Sequence, residues 1–278
     1  MDAILVAAAL LSALLHAAWN AAVKAASRPT EAMAGQMIMA GVFAVPVLVW
    51  TGLPEIASLK WVALSTAVNV FTVATMLKAY EVAGYGVVYP VGRAVSVLLV
   101  VPMAALFLGE HIGPLAMVGV AMIAASLGLL AASARGGCGL PMRGLAWTVA
   151  SGLCIALYVM CDAQGVRSAG SALAYGGCAA ISNGVVMAWR QRRLGTPWRL
   201  VMGFPVVTTA SGAASIASYL LIIWVWDQGP IAPAAALRDT SAVFALLIAV
   251  FWLKEPFDRL RIASALLAAA AVPLLRFG

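Results

Sequence analysis

The sequence predicts an all-α polytopic membrane protein with ten transmembrane helices, arranged as two inverted five-helix repeats. Three observations support that prediction. Of the 278 residues, 64% are hydrophobic and only 10% are charged, whereas soluble domains have about a quarter charged residues. Apolar runs long enough to cross about 30 Å of hydrocarbon alternate with short joints. One charged tract in the fourth run recurs in the ninth, which indicates a duplicated unit.

Ten apolar runs, each bounded by glycine, proline or charge, predict the spans in order. They cover residues 3–23, 31–51, 60–81, 86–108, 113–134, 143–164, 169–189, 203–226, 231–253 and 257–276. We expect helices because every backbone amide in hydrocarbon must be bonded internally. The first run has no basic segment before it, so we expect a retained span rather than a cleaved signal peptide.

The recurring tract keeps a constant offset of 145 residues. Its pairs are Arg93 and Arg238, Ser96 and Ser241, Leu108 and Leu253, and Glu110 and Glu255. We therefore divide the single membrane domain into repeats 1–135 and 136–278. Five spans per repeat is an odd number, so the second repeat enters the membrane in the opposite orientation. Many secondary transporters have this inverted arrangement.

The two arginines are the first candidates for substrate binding. Arginine inside a span is costly and usually faces a polar interior or a pathway. Pro90 precedes Arg93, and Pro230 and Pro233 precede Arg238, which can open a helix end toward a cavity. A guanidinium there can hold a carboxylate or phosphate through two parallel hydrogen bonds. The alternative is that the arginines tie helices together or reach the interface.

Two aspartates and a tyrosine extend the candidate site. Asp239 directly follows Arg238, and Asp162 lies in the sixth span with Tyr158 one turn before it. Asp162 can pair with an arginine, bind a substrate amine or accept a proton, and the sequence leaves these roles open. Ser96, Ser241 and Tyr219 are further candidate contacts, although each can equally bond a neighbouring helix.

The first span carries a polar stripe in a segment rich in alanine and leucine. His16, Asn20 and Lys24 share one helical face, and Trp19 lies beside it. We expect His16, Trp19 and Asn20 to line a substrate cavity. The alternative for His16 is a simple hydrogen bond to a neighbouring carbonyl. His16 and Asp162 are the candidates for proton coupling.

Several function classes are disfavoured by composition and motifs. The net charge of +7 comes from residues in short joints, so we interpret it as a topology signal and expect no nucleic-acid partner. Most lysines and arginines of the joints follow odd-numbered spans. Because cytoplasmic loops carry an excess of these residues, this distribution predicts both termini outside the cytoplasm. The four cysteines lack metal spacing, and phosphate-loop, Gly-x-Ser-x-Gly and His-Glu-x-x-His motifs are absent from the sequence. We expect no enzyme activity, metal or cofactor.

Short motifs resemble the EamA-type members of the drug/metabolite transporter superfamily. They are His-Ala-Ala-Trp-Asn at 16–20 with Lys24, Phe-Leu-Gly-Glu at 107–110 and Trp-Leu-Lys-Glu at 252–255. The resemblance implies a ten-helix bundle of inverted repeats around a central cavity, with both termini cytoplasmic, contrary to the charge distribution. Members move amino acids, other metabolites or drugs, many of them outward. The second repeat departs from the His-x-x-x-Asn pattern, with Tyr158 and Asp162.

The resulting hypothesis is a secondary transporter that exports a small polar or zwitterionic metabolite, such as an amino acid, by alternating access. The arginines would attract its acidic group, and Asp162 or Asp239 its amine. Alternatives are a carrier of organic anions or phosphonates, a flippase for lipid-linked substrates, and a non-transporting accessory subunit. Expected partners are the small-molecule substrate and the lipid bilayer of a bacterial cytoplasmic (inner) membrane. The alanine-rich last span allows a homodimer contact or tight internal packing.

Overall fold

A computed structural model describes residues 1–82, 85–133, 141–253 and 259–277, which are helical apart from short joints. Most of the predicted joint between the repeats, and the motif residues Lys254 and Glu255, lie outside the described residues. The helices are α1 (Ala3–Lys24), α2 (Pro29–Thr51), α3 (Ile56–Val82), α4 (Tyr85–Leu108), α5 (Pro114–Ser133), α6 (Met142–Arg167), α7 (Ala172–Arg190), α8 (Pro197–Met202), α9 (Pro205–Gln228), α10 (Ile231–Asp239), α11 (Ser241–Leu253) and α12 (Arg259–Phe277).

The predicted class, an all-helical polytopic membrane protein, is confirmed. Within the described residues, eight helices are long and apolar enough to cross a membrane, namely α1 to α7 and α9. A shorter apolar helix covers Ile262–Phe277 within α12. Predicted spans one to eight each correspond to one of the eight long helices. The short helix α8 falls in the joint before the predicted eighth span.

The predicted ninth span differs because it is interrupted at Thr240. The hydroxyl of Thr240 donates to the Leu237 carbonyl at 2.6 Å, and the Thr240 amide donates to the same oxygen at 3.2 Å. Threonine side chains that bond to a carbonyl one turn earlier compete with the regular helical ladder. The predicted 23-residue span is therefore two helices, α10 and α11. Arg238 and Asp239 consequently lie at a helix end rather than inside a continuous span.

The prolines also act differently from the expectation that they open helix ends. Pro90 lies inside α4, which is helical on both sides of it. Pro230 directly precedes α10, and Pro233 lies in its first turn. Proline is tolerated there because the missing amide hydrogen would have no partner within the helix. The prolines of the ninth span therefore begin α10 and do not unwind it.

The chain divides into two compact units. Unit 1 comprises Met1–Leu10, Ala67–Met160 and Gly229–Gly278, and unit 2 comprises Leu11–Thr66 and Cys161–Gln228. Each unit thus draws on both halves of the chain. The predicted division into repeats 1–135 and 136–278 concerns sequence duplication. The packing units do not test it, so this division stays a prediction.

In unit 1, α5 and α12 pack through small residues. The Ser126 hydroxyl donates to the Ser264 carbonyl at 2.9 Å, and the two hydroxyls lie 3.1 Å apart. A Cβ at Gly119 would come within 2.8 Å of the Leu275 side chain, so glycine is needed there. Small residues let helix backbones approach closely in membranes. One face of the alanine-rich last helix is thus used for internal packing.

In unit 2, α2 packs against α7 and α9 through glycines. A Cβ at Gly184 would lie 3.0 Å from the Met37 carbonyl, and one at Gly212 would lie 2.7 Å from the Met39 side chain. Helix α1 is joined to α9 by a reciprocal pair, in which Ser12 and Ser218 each donate to the other's carbonyl at 2.7 and 2.8 Å. These close contacts fix the helices that carry the polar residues of this unit.

Candidate functional site

The first charged centre lies in unit 1, where α4 meets the end of α10. The Arg93 Nη1 donates to the Asp239 Oδ1 at 2.8 Å. Arg93 is 7% exposed and Asp239 is 4% exposed. An ion pair buried this deeply offsets the large desolvation cost of each charge by close, charge-assisted hydrogen bonding. The carboxylate that the sequence offered as a partner for a substrate amine is thus held by an arginine of this chain.

Arg238 completes what we name the arginine–aspartate centre, which consists of Arg93, Arg238 and Asp239. Arg238 directly precedes Asp239 in the chain and is 7% exposed, so it adds a second buried cation beside the ion pair. At the C-terminus of α10 the helix dipole favours the arginine and disfavours the aspartate, so Asp239 depends on its cationic neighbours. Two buried arginines and one buried aspartate leave this centre with an excess positive charge, which favours anionic ligands.

The paired serines flank this centre. Ser96 follows Arg93 by three residues on α4 and is buried, and Ser241 begins α11 and is also buried. Within the described residues the Ser241 hydroxyl has no hydrogen-bond partner. A buried hydroxyl without a partner is unfavourable by about 1–3 kcal/mol. The Ser241 hydroxyl is therefore available to donate to a ligand.

The second charged centre lies in unit 2, where α6, α7 and α9 meet. Asp162 is 1% exposed. Its Oδ1 accepts a hydrogen bond from the Tyr175 hydroxyl at 3.0 Å, and its Oδ2 accepts one from the Tyr219 hydroxyl at 2.9 Å. We name these three residues the aspartate–tyrosine centre. Of the roles left open for Asp162, these contacts are those of a hydrogen-bonded carboxylate that neutral donors stabilise.

Tyr175 was not among the predicted residues, although its position carried a signal. Asp162 lies five residues before the end of α6, and Tyr175 lies three residues after the start of α7. A short turn between antiparallel helices brings such residues to similar depth. Gly165 makes room for the ring, because a Cβ there would come within 2.1 Å of the Tyr175 Cε2. Gly165 and Tyr175 thus act as a matched pair that the sequence alone shows only as separate residues.

The predicted polar stripe of α1 lies in unit 2 and is partly buried. The Asn20 side-chain amide donates to the His16 carbonyl at 2.9 Å. The rings of His16 and Trp19 meet edge to face, with centroids 5.0 Å apart and an interplanar angle of 82°. The Trp19 Nε1 is buried without a hydrogen-bond partner in the described part of the chain. The Lys24 side chain lies outside the described residues.

Tyr158, the remaining predicted site residue, is half-buried on α6 one turn before Asp162. Among the described residues, no three His, Cys, Asp or Glu side chains are grouped so that they could hold a metal ion. We assign no metal to either centre. The structure thus brings together Arg93, Arg238 and Asp239 in one unit, and Asp162 and Tyr219 in the other.

Comparisons with known proteins agree with the fold. Residues 3–132 match the EamA-like transporter family. A solved crystal structure, described only as that of a protein, has a TM-score of 0.75 and 17% identity over 99% of this chain and 97% of its own. At that identity the likeness shows the fold alone. No curated protein matches the sequence. The predicted resemblance to the drug/metabolite transporter superfamily is confirmed.

Proposed function

We propose that this chain, whose residues 3–132 match the EamA-like transporter family, is a secondary transporter that exports a small zwitterionic metabolite. An amino acid or a related compound is the substrate class, and a bacterial cytoplasmic membrane is the location. Family members are transporters and not enzymes. The observation that carries the substrate class is the buried ion pair between Arg93 and Asp239.

A zwitterion can open this ion pair at a lower cost than a singly charged molecule. Separating Arg93 from Asp239 leaves two opposite charges without their partner in a low-dielectric site, and losing one partner of a buried pair typically costs about 3–5 kcal/mol. A substrate carboxylate can replace Asp239 on the guanidinium through two parallel hydrogen bonds. The substrate amine can then take the freed Asp239. Both buried charges are matched in the exchange.

Exchange of partners also links binding to movement. The pair joins α4 to the end of α10, so a bound zwitterion replaces a direct contact between two helices with a bridge through the ligand. Alternating access requires that the substrate interact differently with two arrangements of the protein. A bridge longer than the direct contact supplies that difference.

Substrate exchange across proteoliposomes tests the proposal. Vesicles containing the purified chain are preloaded with an unlabelled amino acid, and uptake of a labelled one is measured. The comparison set is the matching 2-hydroxy acid, which lacks the amine, and the matching amide, which lacks the acid. We expect the amino acid to exchange at least about tenfold faster than either analogue, because each analogue leaves one buried charge unmatched.

A neutral double variant, Arg93→Gln with Asp239→Asn, separates substrate binding from helix cementing. It keeps a polar contact between the helices and removes both charges, so we expect a folded protein that does not exchange the amino acid. Exchange at the wild-type rate would contradict a substrate role for the pair and would favour an accessory subunit. For the wild-type protein, transport of amphiphilic substrates alone would favour a flippase.

An organic anion or a phosphonate is the second candidate substrate. The observation that favours it is that this centre holds two buried arginines, Arg93 and Arg238, but one buried aspartate, Asp239. Such a ligand would use both arginines without displacing Asp239. Exchange of the 2-hydroxy acid or of a matched phosphonate as fast as the amino acid would select this alternative.

Within the same proposal, Asp162 couples transport to protons, and His16 is the alternative group. An ionised Asp162 accepts from both tyrosines. A protonated Asp162 has one oxygen that carries a hydrogen, donates, and is a weaker acceptor, so protonation weakens one tyrosine contact. We expect Asp162→Asn to lose accumulation driven by a pH gradient and to keep exchange without a gradient. The same loss in His16→Gln alone would move the role to His16. Gradient-driven accumulation unchanged in both variants would contradict proton coupling.

A further inference from the structure

The N-terminus of α10 is capped by a residue from a distant loop. The backbone amide of Ile231, the first residue of α10, donates to both carboxylate oxygens of Glu110, at 3.1 and 2.9 Å. Pro230, which precedes the helix, supplies no side-chain cap. The first amides of a helix have no partner within it, and a carboxylate there also complements the helix dipole. Glu110 supplies this cap from the loop that follows α4.

The turn after α4 aims Glu110 at that amide. Gly109 has a φ of 65°, a left-handed conformation that residues with a Cβ rarely adopt. The Glu110 amide then folds back and donates to the Ala104 carbonyl at 3.2 Å. The motif Leu-Gly-Glu at 108–110 therefore has a structural meaning, in which glycine ends α4 and makes the turn while glutamate caps another helix.

Helix α10 is thus held to the α4 segment at both of its ends. Asp239 at its C-terminal end meets Arg93 in the first half of α4, and Ile231 at its N-terminal end meets Glu110 just beyond the end of α4. At 1.5 Å per residue, α4 rises about 22 Å from Arg93 to Leu108, and α10 is about 12 Å long. The long side chains of Arg93 and Glu110 therefore reach toward α10 from opposite ends. A shift of α10 along α4 toward one contact lengthens the other.

We propose that Glu110 is a positioning residue for the arginine–aspartate centre. By capping Ile231 it sets the depth of α10 and so keeps Asp239 within hydrogen-bond distance of Arg93. All nine residues of α10 are buried, so a change at one end of this short rigid helix is carried to the other. The consequence for transport rests on the proposed function, whereas the positioning itself does not.

Hydrogen exchange of the full-length protein in nanodiscs tests the positioning directly. The variants are Glu110→Ala, which removes the acceptor, and Glu110→Gln, which keeps an oxygen acceptor. The matched control is Asp227→Asn, which removes an exposed carboxylate four residues before Ile231. We expect Glu110→Ala to speed amide exchange over residues 229–240 by at least about threefold, as for loss of a helix cap. Glu110→Gln should restore part of the protection, and the control should leave it unchanged.

A double-mutant cycle then asks whether Glu110 acts through the ion pair. The affinity for the exchanged amino acid is measured for Glu110→Ala in the wild-type background and with Asp239→Asn. We expect about a tenfold weaker affinity in the first background and little further loss in the second. Equal losses of amino-acid affinity in both backgrounds would overturn the positioning role. Amide hydrogen exchange in Glu110→Ala as slow as in the Asp227→Asn control would overturn it as well.

The two readouts keep this inference separate from the proposed function. If no amino acid binds, amide hydrogen exchange still tests positioning. Support would be faster hydrogen exchange at both ends of α10 in Glu110→Ala, and an effect of Glu110→Ala only at the start of α10 when Asp239→Asn is also present. If amino acids bind but Glu110→Ala changes neither amide hydrogen exchange nor the affinity for the amino acid, the inference fails and the transporter proposal stands.

Discussion

Asp239 in unit 1 and Asp162 in unit 2 are both buried aspartates, but their partners differ in kind. Asp239 is held by the guanidinium of Arg93 at 2.8 Å, whereas Asp162 accepts hydrogen bonds from two tyrosine hydroxyls at 3.0 and 2.9 Å. An arginine keeps its proton under all physiological conditions, so the first contact responds to competing charged groups. The second contact is made by neutral donors, so it responds to a proton on the carboxylate.

The backbone around Asp239 also differs from that around Asp162. Asp239 is the last residue of α10, and Thr240 separates this helix from α11. Asp162 lies within the continuous helix α6, which runs from Met142 to Arg167. A helix end can move without breaking a long hydrogen-bonded ladder, whereas a residue inside a helix moves with the whole helix. The comparison therefore favours Asp239 as the group that exchanges partners during transport and Asp162 as a fixed group whose protonation changes.

The largest expected difference comes from deleting each carboxylate. Asp239→Ala leaves Arg93 buried without its counterion, which should cost about 3–5 kcal/mol of stability. Asp162→Ala leaves two neutral hydroxyls without an acceptor, and Tyr219 is only half-buried, so about 1–3 kcal/mol is expected. Thermal unfolding in detergent measures both. The difference should largely disappear when Asp239→Ala is combined with Arg93→Ala.

An equal loss of stability in the two single variants would contradict the assignment of an ion pair to one centre and neutral donors to the other. A double variant as unstable as Asp239→Ala alone would place the cost in lost packing rather than in an unmatched charge.

Much of the fold could be predicted from the sequence because the bilayer restricts the options. Span length and internal hydrogen bonding together require long apolar helices, and α1 and α2 begin and end within two residues of their predicted bounds. The break at Thr240 was missed because threonine occurs in continuous spans as well. Whether its hydroxyl bonds the preceding turn depends on packing that composition does not show.

The candidate site was predictable residue by residue but not pair by pair. Arg93, Arg238 and Asp162 stood out because charges in apolar segments are rare. The sequence left open whether an arginine would meet Asp162 or Asp239, since that choice depends on which helices pack together. Tyr175 was missed because tyrosine is an ordinary residue in a membrane helix. Only its depth relative to Asp162 across a short turn indicated the contact.

A pair of glycine substitutions sharpens the description of the aspartate–tyrosine centre. Gly165→Ala would place a Cβ within 2.1 Å of the Tyr175 ring, whereas Gly128→Ala meets nothing within 4 Å. Overpacking costs about 1–3 kcal/mol, while alanine in a helix is favoured over glycine by about 1 kcal/mol. We therefore expect Gly165→Ala to lower the unfolding temperature and Gly128→Ala to leave it unchanged or raise it. If both variants gave the same unfolding temperature, Tyr175 would not occupy the space beside Gly165.

The smallest expected effect separates the two tyrosines of that centre. Tyr175→Phe removes a hydroxyl that is fully buried, and Tyr219→Phe removes one from a half-buried side chain. Burial raises the cost of leaving the Asp162 oxygen without its donor, because water cannot take the place of the hydroxyl. We expect Tyr175→Phe to cost about 1–2 kcal/mol and Tyr219→Phe about 0.5–1 kcal/mol, measured by chemical denaturation in detergent. In an Asp162→Asn background, which keeps one oxygen acceptor, the difference between the tyrosines should shrink. A larger cost for Tyr219→Phe would mean that α9, rather than α7, supplies the principal support for Asp162.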